Sequence, residues 1–254
     1  MFIPVSFNIF LRYEQIPYVD QTLFSLFLSE MDVLERIGDN PFIVKLIGGA
    51  VSPKFMCILT EFEPGGNLET FLATAQIQPE LRVRIILDVA RGMRAIHRAG
   101  VIHRNLKPIN VMMVAADLHA PVVCRVTDFG FSRMASEGTM ASTMTAGVGS
   151  PLYMAPELAA GDPHYGKKAD VYSFAISCVE IWNSARAFSE YNMTDPFAFM
   201  AAVAHQGIRP GIKSDCPVEL CNLIQQCWAT EASARPDFDD ITTQILQQFP
   251  FLSP

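Results

Sequence analysis

Residues 170–182 form the segment that most narrows the possible folds of this chain, because they are apolar on almost every face of a helical wheel. A helix that is hydrophobic all round has to be enclosed by other elements. The sequence keeps helical spacing from there to the end, so we expect this helix at the centre of a helical body. A chain of 254 residues can bury such a core, in one domain or in two closely packed lobes.

The first quarter of the chain has a different pattern. Residues 22–37 have apolar side chains at helical spacing and predict an amphipathic helix. Residues 43–51 and 55–62 are β-rich runs and predict two strands of a small sheet. We therefore predict an α+β fold with a small β lobe over residues 1–62, a linker over residues 63–66 (EPGG) and a helical lobe over residues 67–254.

The helical lobe contains further predicted elements. A short helix over residues 67–75 has Asn67 as its N-cap, and a long helix covers residues 81–99. Residues 128–157 contain Gly, Ser and Thr without periodicity and predict a mobile loop. A short strand pair is predicted at residues 111–113 and 122–126.

Composition excludes several classes of protein. Half of the residues are hydrophobic and 18% are charged, which is typical of a globular chain. The net charge of −7 gives no electrostatic footprint for nucleic acid or for an anionic membrane. No stretch is apolar for long enough to cross a bilayer, and the first residues lack the basic region of a signal peptide. The six cysteines have no C-x-x-C pair, so we expect reduced thiols rather than a zinc site, and a cytoplasmic location.

Three short motifs follow one another in the helical part: residues 103–110 (HRNLKPIN), 128–130 (DFG) and 155–157 (APE). They resemble the protein-kinase catalytic core, H-R-D-L-x-x-x-N, D-F-G and A-P-E, in the same order. One such tripeptide occurs by chance in many sequences, whereas the three in order are specific. The resemblance runs from about Phe10 to the end and implies a two-lobed protein-kinase-like fold. Later segments look closest to the tyrosine-kinase-like group of serine/threonine kinases.

The resemblance implies a site for ATP with Mg²⁺. Asp128 and Asn110 match the metal ligands, and both offer the hard oxygen atoms that Mg²⁺ requires. Lys107 stands where serine/threonine kinases carry a lysine close to the transferred phosphate. Glu30 matches the helix glutamate that pairs with the lysine of the third strand.

The resemblance also places an adenine pocket. Thr60 would be the gatekeeper of a segment that is similar to the family hinge. Backbone groups of Glu61, Phe62 and Glu63 would then face the adenine. Met112 matches the apolar floor beneath the base, although a methionine in such a place also suits plain core packing.

Other matches imply structural roles. Asp170 matches the buried aspartate that anchors the backbone of the catalytic loop, and Glu157 would pair with Arg235. The resemblance also implies a hydrophobic spine that ties the two lobes together. Its members would be Leu34, Leu46, His103 and Phe129.

The third residue of the first motif departs from the family. Asn105 stands in place of the aspartate that accepts the proton of the substrate hydroxyl. An amide has no basicity near neutral pH, and general-base catalysis contributes on the order of 10²–10⁴ to the rate. Asn105 can still accept a hydrogen bond from a hydroxyl and orient it. The motif therefore predicts the fold, while its third residue predicts a loss of activity.

The front of the small lobe is the second departure, and it predicts a truncated N-terminal β lobe. No glycine precedes Gly38 and no lysine precedes Lys45, so the glycine-rich loop over the ATP phosphates is missing. The best match for the strand of the family lysine puts Arg12 at the lysine position and Phe10 at that of a small alanine. Arginine keeps the charge, but its planar fork does not replace a compact ammonium. The alternative is an unrelated leader of about 20 residues.

The segment after the second motif offers hydroxyl groups for phosphorylation, and a phosphate there would pair with Arg104. The candidates are Ser136, Thr139, Ser142, Thr143 and Thr145. At each position, an unmodified loop residue is the alternative.

The two departures from the family pattern leave three hypotheses for the function. The first is a pseudokinase, a binding module whose helical lobe and loop surface dock a protein partner, such as an active kinase. The second is an active or weakly active serine/threonine kinase that uses ATP and Mg²⁺, with Arg12 as a surrogate charge. The third is an incomplete product of a longer kinase gene.

Overall fold

The computed structural model describes most of the chain. The described ranges are residues 2–5, 9–14, 21–52, 55–130, 132–134, 151–162, 166–192 and 194–252. The phosphorylation candidates between residues 136 and 145 lie outside these ranges, together with the middle of the loop predicted over residues 128–157.

A four-stranded antiparallel sheet occupies the first part of the chain. Its strands are β1 Phe2–Val5, β2 Ile9–Glu14, β3 Leu46–Ser52 and β4 Phe55–Glu61, in the order β1-β2-β4-β3. Because β2 pairs directly with β4, the segment matched to the family's lysine strand lies within the sheet. The strand predicted from residue 43 begins only at Leu46, since Ile43 forms a bridge with Val126 outside the sheet.

Helix α1, Gln21–Ile37, packs against this sheet and confirms the amphipathic helix predicted from the sequence. The helix comes close to the sheet at Gly49, where an added Cβ would lie 3.0–3.2 Å from side-chain atoms of Met31 and Phe27. That spacing is tighter than ordinary van der Waals contact. The glycine therefore lets the helix come close to the strand.

The remaining elements are mostly helical. The helices are α2 Leu68–Thr74, α3 Pro79–Arg98, α4 Pro156–Ala159, α5 Lys167–Asn183, α6 Pro196–Ala201, α7 Val218–Cys227 and α8 Phe238–Gln248. The strand pairs are β5 Val101–Ile102 with β8 Arg133–Met134, and β6 Val111–Met113 with β7 Cys124–Val126. The predicted N-cap of α2 is confirmed, because the side chain of Asn67 accepts a hydrogen bond from the N–H of Thr70 at 2.9 Å.

Helix α5 lies at the centre of the helical part, as the sequence predicts. Val171, Phe174 and Cys178 on this helix belong to the larger buried cluster. Tyr172 and Ile176 belong to a second cluster on another face. The helix packs against α3 and α7, while α3 packs in turn against α8. Burial on successive faces explains why the segment has no polar side.

The sheet and the helical part share one hydrophobic core. Leu34 of α1 and Ile58 of β4 belong to the same buried cluster as Phe129. The backbone N–H of Val44 also donates to the carbonyl of Val126 on β7 at 3.0 Å. The α+β class predicted from the sequence is confirmed, with a small β part on a mostly helical part.

The linker predicted over residues 63–66 runs beside β6. The N–H of Gly65 donates to the carbonyl of Met113 at 3.1 Å, and the N–H of Met113 donates to the carbonyl of Gly66 at 2.8 Å. An added Cβ at Gly65 would lie 2.6 Å from the Cβ and the carbonyl oxygen of Met113. The close pairing of the two backbones therefore requires glycine at residue 65. The lobe boundaries themselves stay predictions.

No helix within the described ranges is long and apolar enough to cross a membrane. All six cysteines lie in those ranges and are free thiols. The same part of the chain holds no cluster of three or more His, Cys, Asp or Glu side chains that could bind a metal ion.

Substitution of Gly65 by alanine tests the pairing between the linker and β6. We expect Gly65→Ala to lower the free energy of unfolding by about 1–3 kcal/mol, because the new methyl group overlaps Met113. Chemical denaturation of the purified protein measures the change. Gly48→Ala is the matched control, since a Cβ there would meet nothing within 4 Å. Equal losses of unfolding free energy in the two variants would contradict the close pairing of the linker with β6.

Candidate functional site

The backbone of the catalytic loop, residues 103–110, is anchored by Asp170 of α5. One carboxylate oxygen accepts the N–H of His103 and the other accepts the N–H of Arg104, each at 2.8 Å. The Nε2–H of His97 donates to the first oxygen at 2.8 Å. The anchoring role predicted for Asp170 is confirmed.

The charge of Asp170 is maintained in spite of its complete burial. Burial alone would raise the pKa of this carboxyl. The hydrogen bond and electrostatic interaction with His97 lower the pKa, and so do His103 and the N–H of Arg104, so that it lies below its usual value. Buried carboxylates that accept several N–H donors behave in this way. The anchor is therefore ionised at neutral pH and accepts all of its hydrogen bonds.

His103 connects the catalytic loop to the second motif. Its Nδ1 accepts the N–H of Asn105 at 3.2 Å, so Nε2 carries the proton and donates to the carbonyl of Thr127 at 3.1 Å. Burial lowers the pKa of His103, which keeps the imidazole neutral. The ring contacts Phe129 with 5.2 Å between centroids. This contact is the one expected within the hydrophobic spine.

The other two spine residues predicted from the sequence lie against the same core. Leu34 is a buried member of the main cluster, and Leu46 packs against that cluster while partly buried. Phe129, in the middle of the second motif, is 1% exposed and belongs to the cluster as well.

Asn105 lies against the residue that the family uses for metal binding. Its side-chain Nδ2 is 2.9 Å from Oδ2 of Asp128. A carboxylate only accepts hydrogen bonds, so the amide nitrogen must be the atom that faces it. The backbone carbonyl of Asn105 accepts the Nδ2–H of Asn110 at 2.7 Å. Asn105 is only 7% exposed, and both of its neighbours in this network are predicted metal ligands.

Glu30 of α1 also reaches this region. A Cβ added at Gly130 would lie 3.5 Å from Oε2 of Glu30 and 3.6 Å from Oδ1 of Asp128. The carboxylate of Glu30 therefore faces the turn of the second motif. Asp128 itself has a φ of 69°, a left-handed conformation that is strained for a residue with a side chain. The turn brings two predicted site residues, Glu30 and Asp128, close to Gly130.

The donor set fits Mg²⁺ only in part. Because Nδ2 of Asn110 is bound to the Asn105 carbonyl, its Oδ1 is the atom that can face a ligand, as the family role requires. Asp128 supplies a carboxylate, but the amide of Asn105 already donates to one of its oxygens. A cation at Asp128 would therefore share that carboxylate with a neutral hydrogen-bond donor.

The predicted hinge is tied to β7 by its acidic side chains. Nη1 of Arg125 donates to Glu61 at 2.9 Å and also to Glu63, and its Nε donates to the carbonyl of Pro41 at 3.1 Å. Glu63 is 4% exposed, and burial raises its pKa although Arg125 acts in the opposite direction. Sequence reasoning considered only the backbone of these residues and missed Arg125. No local pattern marks it, because its carboxylate partners lie 62 and 64 residues away.

Thr60 and Met112 lie on strands β4 and β6, and their predicted roles stay predictions. Thr60 lies on β4, opposite Phe10 of β2 and Leu46 of β3. Met112 is partly exposed, whereas the residues on either side of it in β6 are buried in the core. Since side chains alternate along a strand, Met112 points away from the core, as an adenine floor would.

The remaining predicted site residues are placed less completely. The β2 strand puts Arg12 opposite Ile58 of β4, while the side chains of β2 lie outside the described part of the structure. Lys107 is partly buried and immediately precedes the single helical turn Pro108–Asn110. The roles predicted for Arg12 and Lys107 stay predictions.

The pairing predicted between Glu157 and Arg235 is confirmed. The two guanidinium nitrogens donate to the two carboxylate oxygens at 2.8 and 2.7 Å, in a bidentate arrangement. Arg235 is 1% exposed and also donates to backbone carbonyls, among them that of Lys168 at 2.9 Å. This pair attaches the third motif to the end of the helical part.

Comparison with known proteins agrees with this geometry. The profile of the family described as protein tyrosine and serine/threonine kinase matches residues 17–245. A probable serine/threonine-protein kinase of Dictyostelium discoideum is 33% identical over 234 residues, which cover 91% of this chain and 24% of the relative. The serine/threonine/tyrosine-protein kinase HT1 of Arabidopsis thaliana is 34% identical over 226 residues, covering 88% of this chain and 54% of the relative. The dual specificity protein kinase shkA of Dictyostelium discoideum is 34% identical, with coverages of 89% and 42%. The chain thus spans from about a quarter to about half of the length of these relatives.

Substitution of the buried Arg235 tests whether its pair with Glu157 attaches the third motif to the helical part. We expect Arg235→Ala to lower the free energy of unfolding by about 3–5 kcal/mol, because the Glu157 carboxylate is left without its partner. Arg98→Ala is the control, since Arg98 and Asp239 form a pair that is more than half exposed. An exposed pair contributes about 0–1 kcal/mol. Denaturation curves with comparable midpoints for the two variants would contradict the structural role of the pair between Arg235 and Glu157.

The neutral state of His103 predicts a pH dependence of stability. Below its ordinary pKa of 6.5, the unfolded chain takes up a proton that the folded chain does not. The free energy of unfolding should therefore fall by up to about 1.4 kcal/mol per pH unit as the pH drops below that value. The buried carboxyls of Glu63, Asp88 and Glu180 have raised pKa values and act in the opposite direction.

The contribution of His103 can be separated from those carboxyls. His103→Phe keeps all three carboxyls. We therefore compare how steeply the free energy of unfolding changes with pH, from pH 7.5 to 5.5, in the parent protein and in the variant; the difference between the two slopes reports the histidine alone. Urea unfolding at each pH measures both slopes. Parallel slopes would show that His103 titrates alike in the folded and unfolded states.

Proposed function

Because the chain belongs to the protein tyrosine and serine/threonine kinase family, we propose that it acts as a pseudokinase: a cytoplasmic binding module that docks a protein partner in signalling. The observation that supports this most directly is the contact between Asn105 and Asp128. The side chain at the position of the general base is an amide, and its N–H group points to a carboxylate. It neither takes a proton from a hydroxyl nor leaves that carboxylate entirely to a metal ion.

The size of the expected loss in phosphotransfer rate supports the proposal. The missing base costs on the order of 10²–10⁴ in rate. The missing compact cation over the phosphates costs a further 10²–10³ or so, as the removal of one preorganised electrostatic donor does, on the order of 3–4 kcal/mol. From a typical kinase turnover of about 1–100 s⁻¹, independent losses leave roughly 10⁻² s⁻¹ at best. That rate is about 100-fold below the lower end of the usual kinase range.

Residual nucleotide binding is part of the proposal. The family uses ATP and Mg²⁺ in general. In this chain the backbone of Glu61 to Glu63 would face the adenine, with Thr60 and Met112 on either side of it. The tie between Arg125 and the two hinge carboxylates supports such a pocket, because it holds the hinge in one conformation without a ligand. Asp128 and Asn110 would face the phosphates.

The proposal of a protein partner follows from the expected loss of phosphoryl transfer. A kinase-like domain without phosphoryl transfer acts by binding, and the first partner to test is another protein kinase. The cytoplasmic location is supported by the six free thiols, since disulfides are rare in reducing compartments.

An active serine/threonine kinase is the second candidate function. The relatives are named as serine/threonine, serine/threonine/tyrosine or dual specificity kinases, and the chain keeps Asp128, Asn110 and Lys107. The position of Glu30 beside Gly130 also suits a site in which the α1 glutamate serves the phosphates. Under this hypothesis Asn105 orients the substrate hydroxyl without removing its proton.

A phosphotransfer assay separates the two functions. The purified chain is incubated with radiolabelled ATP, Mg²⁺ and a generic protein substrate, beside Asp128→Ala and Asn105→Asp variants. We expect the parent protein and Asp128→Ala to give the same background, below a turnover of about 10⁻² s⁻¹. Transfer by the parent protein that disappears in Asp128→Ala would refute the pseudokinase. A gain of at least about 100-fold in Asn105→Asp would favour the second candidate.

A further inference from the structure

We infer that the amide of Asn105 does at Asp128 what a divalent cation does in a reactive kinase, so that the phosphate end of this site is organised without a metal ion. The inference rests on the proposed function as a non-catalytic nucleotide-binding module. It commits to a ligand class, an adenine nucleotide that binds equally well with and without Mg²⁺. The steps below use only Asn105, Asp128 and the residues that hold them.

The amide is fixed in place before any ligand arrives. The N–H of Asn105 donates to the imidazole of His103 at 3.2 Å, and its carbonyl accepts from Asn110 at 2.7 Å. Its side chain donates to Asp128 at 2.9 Å and is almost completely buried. Because His103 is neutral and itself bonded to Thr127, the donor has little freedom to turn away. The contact between Asn105 and Asp128 is therefore a permanent part of the fold.

The charge at residue 105 decides whether a cation is needed. An aspartate there would place two carboxylates within hydrogen-bonding distance of each other, and such a pair cannot stay doubly ionised without a proton or a cation. An asparagine removes one negative charge and adds an N–H donor directed at the remaining carboxylate. Asp128 is then stabilised by a charge-assisted hydrogen bond, one of the stronger kinds in proteins. The carboxylate oxygen that faces Asn105 then has a donor without a metal ion.

The backbone strain at Asp128 supports the same conclusion. A φ of 69° is unfavourable for a residue with a side chain, so contacts have to hold it. The side chain of Asn105 supplies one such contact from the anchored catalytic loop.

A cation would also have to compete with this arrangement. To coordinate both oxygens of Asp128, Mg²⁺ would displace Nδ2 of Asn105 and leave a buried amide donor unsatisfied. With one oxygen only, the ion would keep several water ligands and share the Asp128 carboxylate with the amide of Asn105. In both arrangements the amide competes with the ion for Asp128.

Thermal unfolding with Mg²⁺ alone tests this inference without nucleotide. We expect the midpoint of the parent protein to be the same in millimolar MgCl₂ and in EDTA. Asn105→Asp should unfold at a temperature lower by about 3–10 °C in EDTA, because of the like charges, and should recover most of the difference in MgCl₂. A rise of the parent protein's midpoint in MgCl₂ that matches that of Asn105→Asp would overturn the inference, and so would an Asn105→Asp protein that ignores MgCl₂.

Asn67→Asp is the matched control for charge. It makes the same substitution at an N-cap, where aspartate and asparagine are equivalent acceptors. Its midpoint should not respond to MgCl₂. Asn105→Ala is the second variant in case Asn105→Asp does not fold. It removes the donor without adding a charge, so it should unfold earlier than the parent protein and recover part of the difference in MgCl₂, because the ion can then replace the donor at Asp128; an Asn105→Ala protein that ignores MgCl₂ would contradict the inference.

A nucleotide series keeps this inference distinct from the proposed function. ADP and ATP are added to the parent protein in EDTA and in MgCl₂. Equal upward shifts of the midpoint in the two buffers are expected, and a shift seen only with MgCl₂ would overturn metal-independent binding. If no nucleotide shifts the midpoint in either buffer, residual nucleotide binding fails as part of the proposed function. The measurements with Mg²⁺ alone then still decide whether Asn105 replaces the cation.

Discussion

The buried carboxylate of Asp170 holds the catalytic loop, and the geometry of the site depends on it. It accepts the N–H groups of His103 and Arg104 and a hydrogen bond from His97. Arg104 has a φ of 68°, a strained conformation that these bonds offset. Because the loop is held from the central helix, His103 and Asn105 reach their positions before any ligand is present. The site is thus preorganised by the core of the helical part rather than by what it binds.

The chemistry of the site differs from its geometry. The catalytic loop contacts Asp128 of the second motif, and Glu30 of α1 lies close to Gly130, but the side chain that faces Asp128 is an amide. Asn105 is satisfied by Asp128 within the protein, so the charge that would recruit a cation and accept a proton is reduced. On the other side of the site, Arg125 ties both hinge carboxylates to β7. Both ends of the site are therefore held by internal contacts, which suits a protein that works by binding.

Local pattern was sufficient for much of the fold. Residues 170–182 predict the central helix because no polar face is present, and Asn67 predicts a helix start because its side chain caps an N–H group. The motif order predicts that Asp128 and Asn110 belong to one site. By contrast, the strand predicted from residue 43 begins later, because its first residues pair with β7 instead of the sheet. Which strand a β-rich residue joins depends on partners that are distant in the chain.

By itself, the sequence determined the family, the α+β class and the amide side chain at residue 105, since each of these is carried by residue identity or by local spacing. Only the tertiary structure decided what the amide does instead, namely that it donates to Asp128, and that Arg125 joins the hinge to β7. Hydrogen bonds act over about 3 Å, whereas these partners are separated by more than 20 residues along the chain. Their contact is therefore set by the tertiary packing of the chain and not by any pattern that local sequence carries.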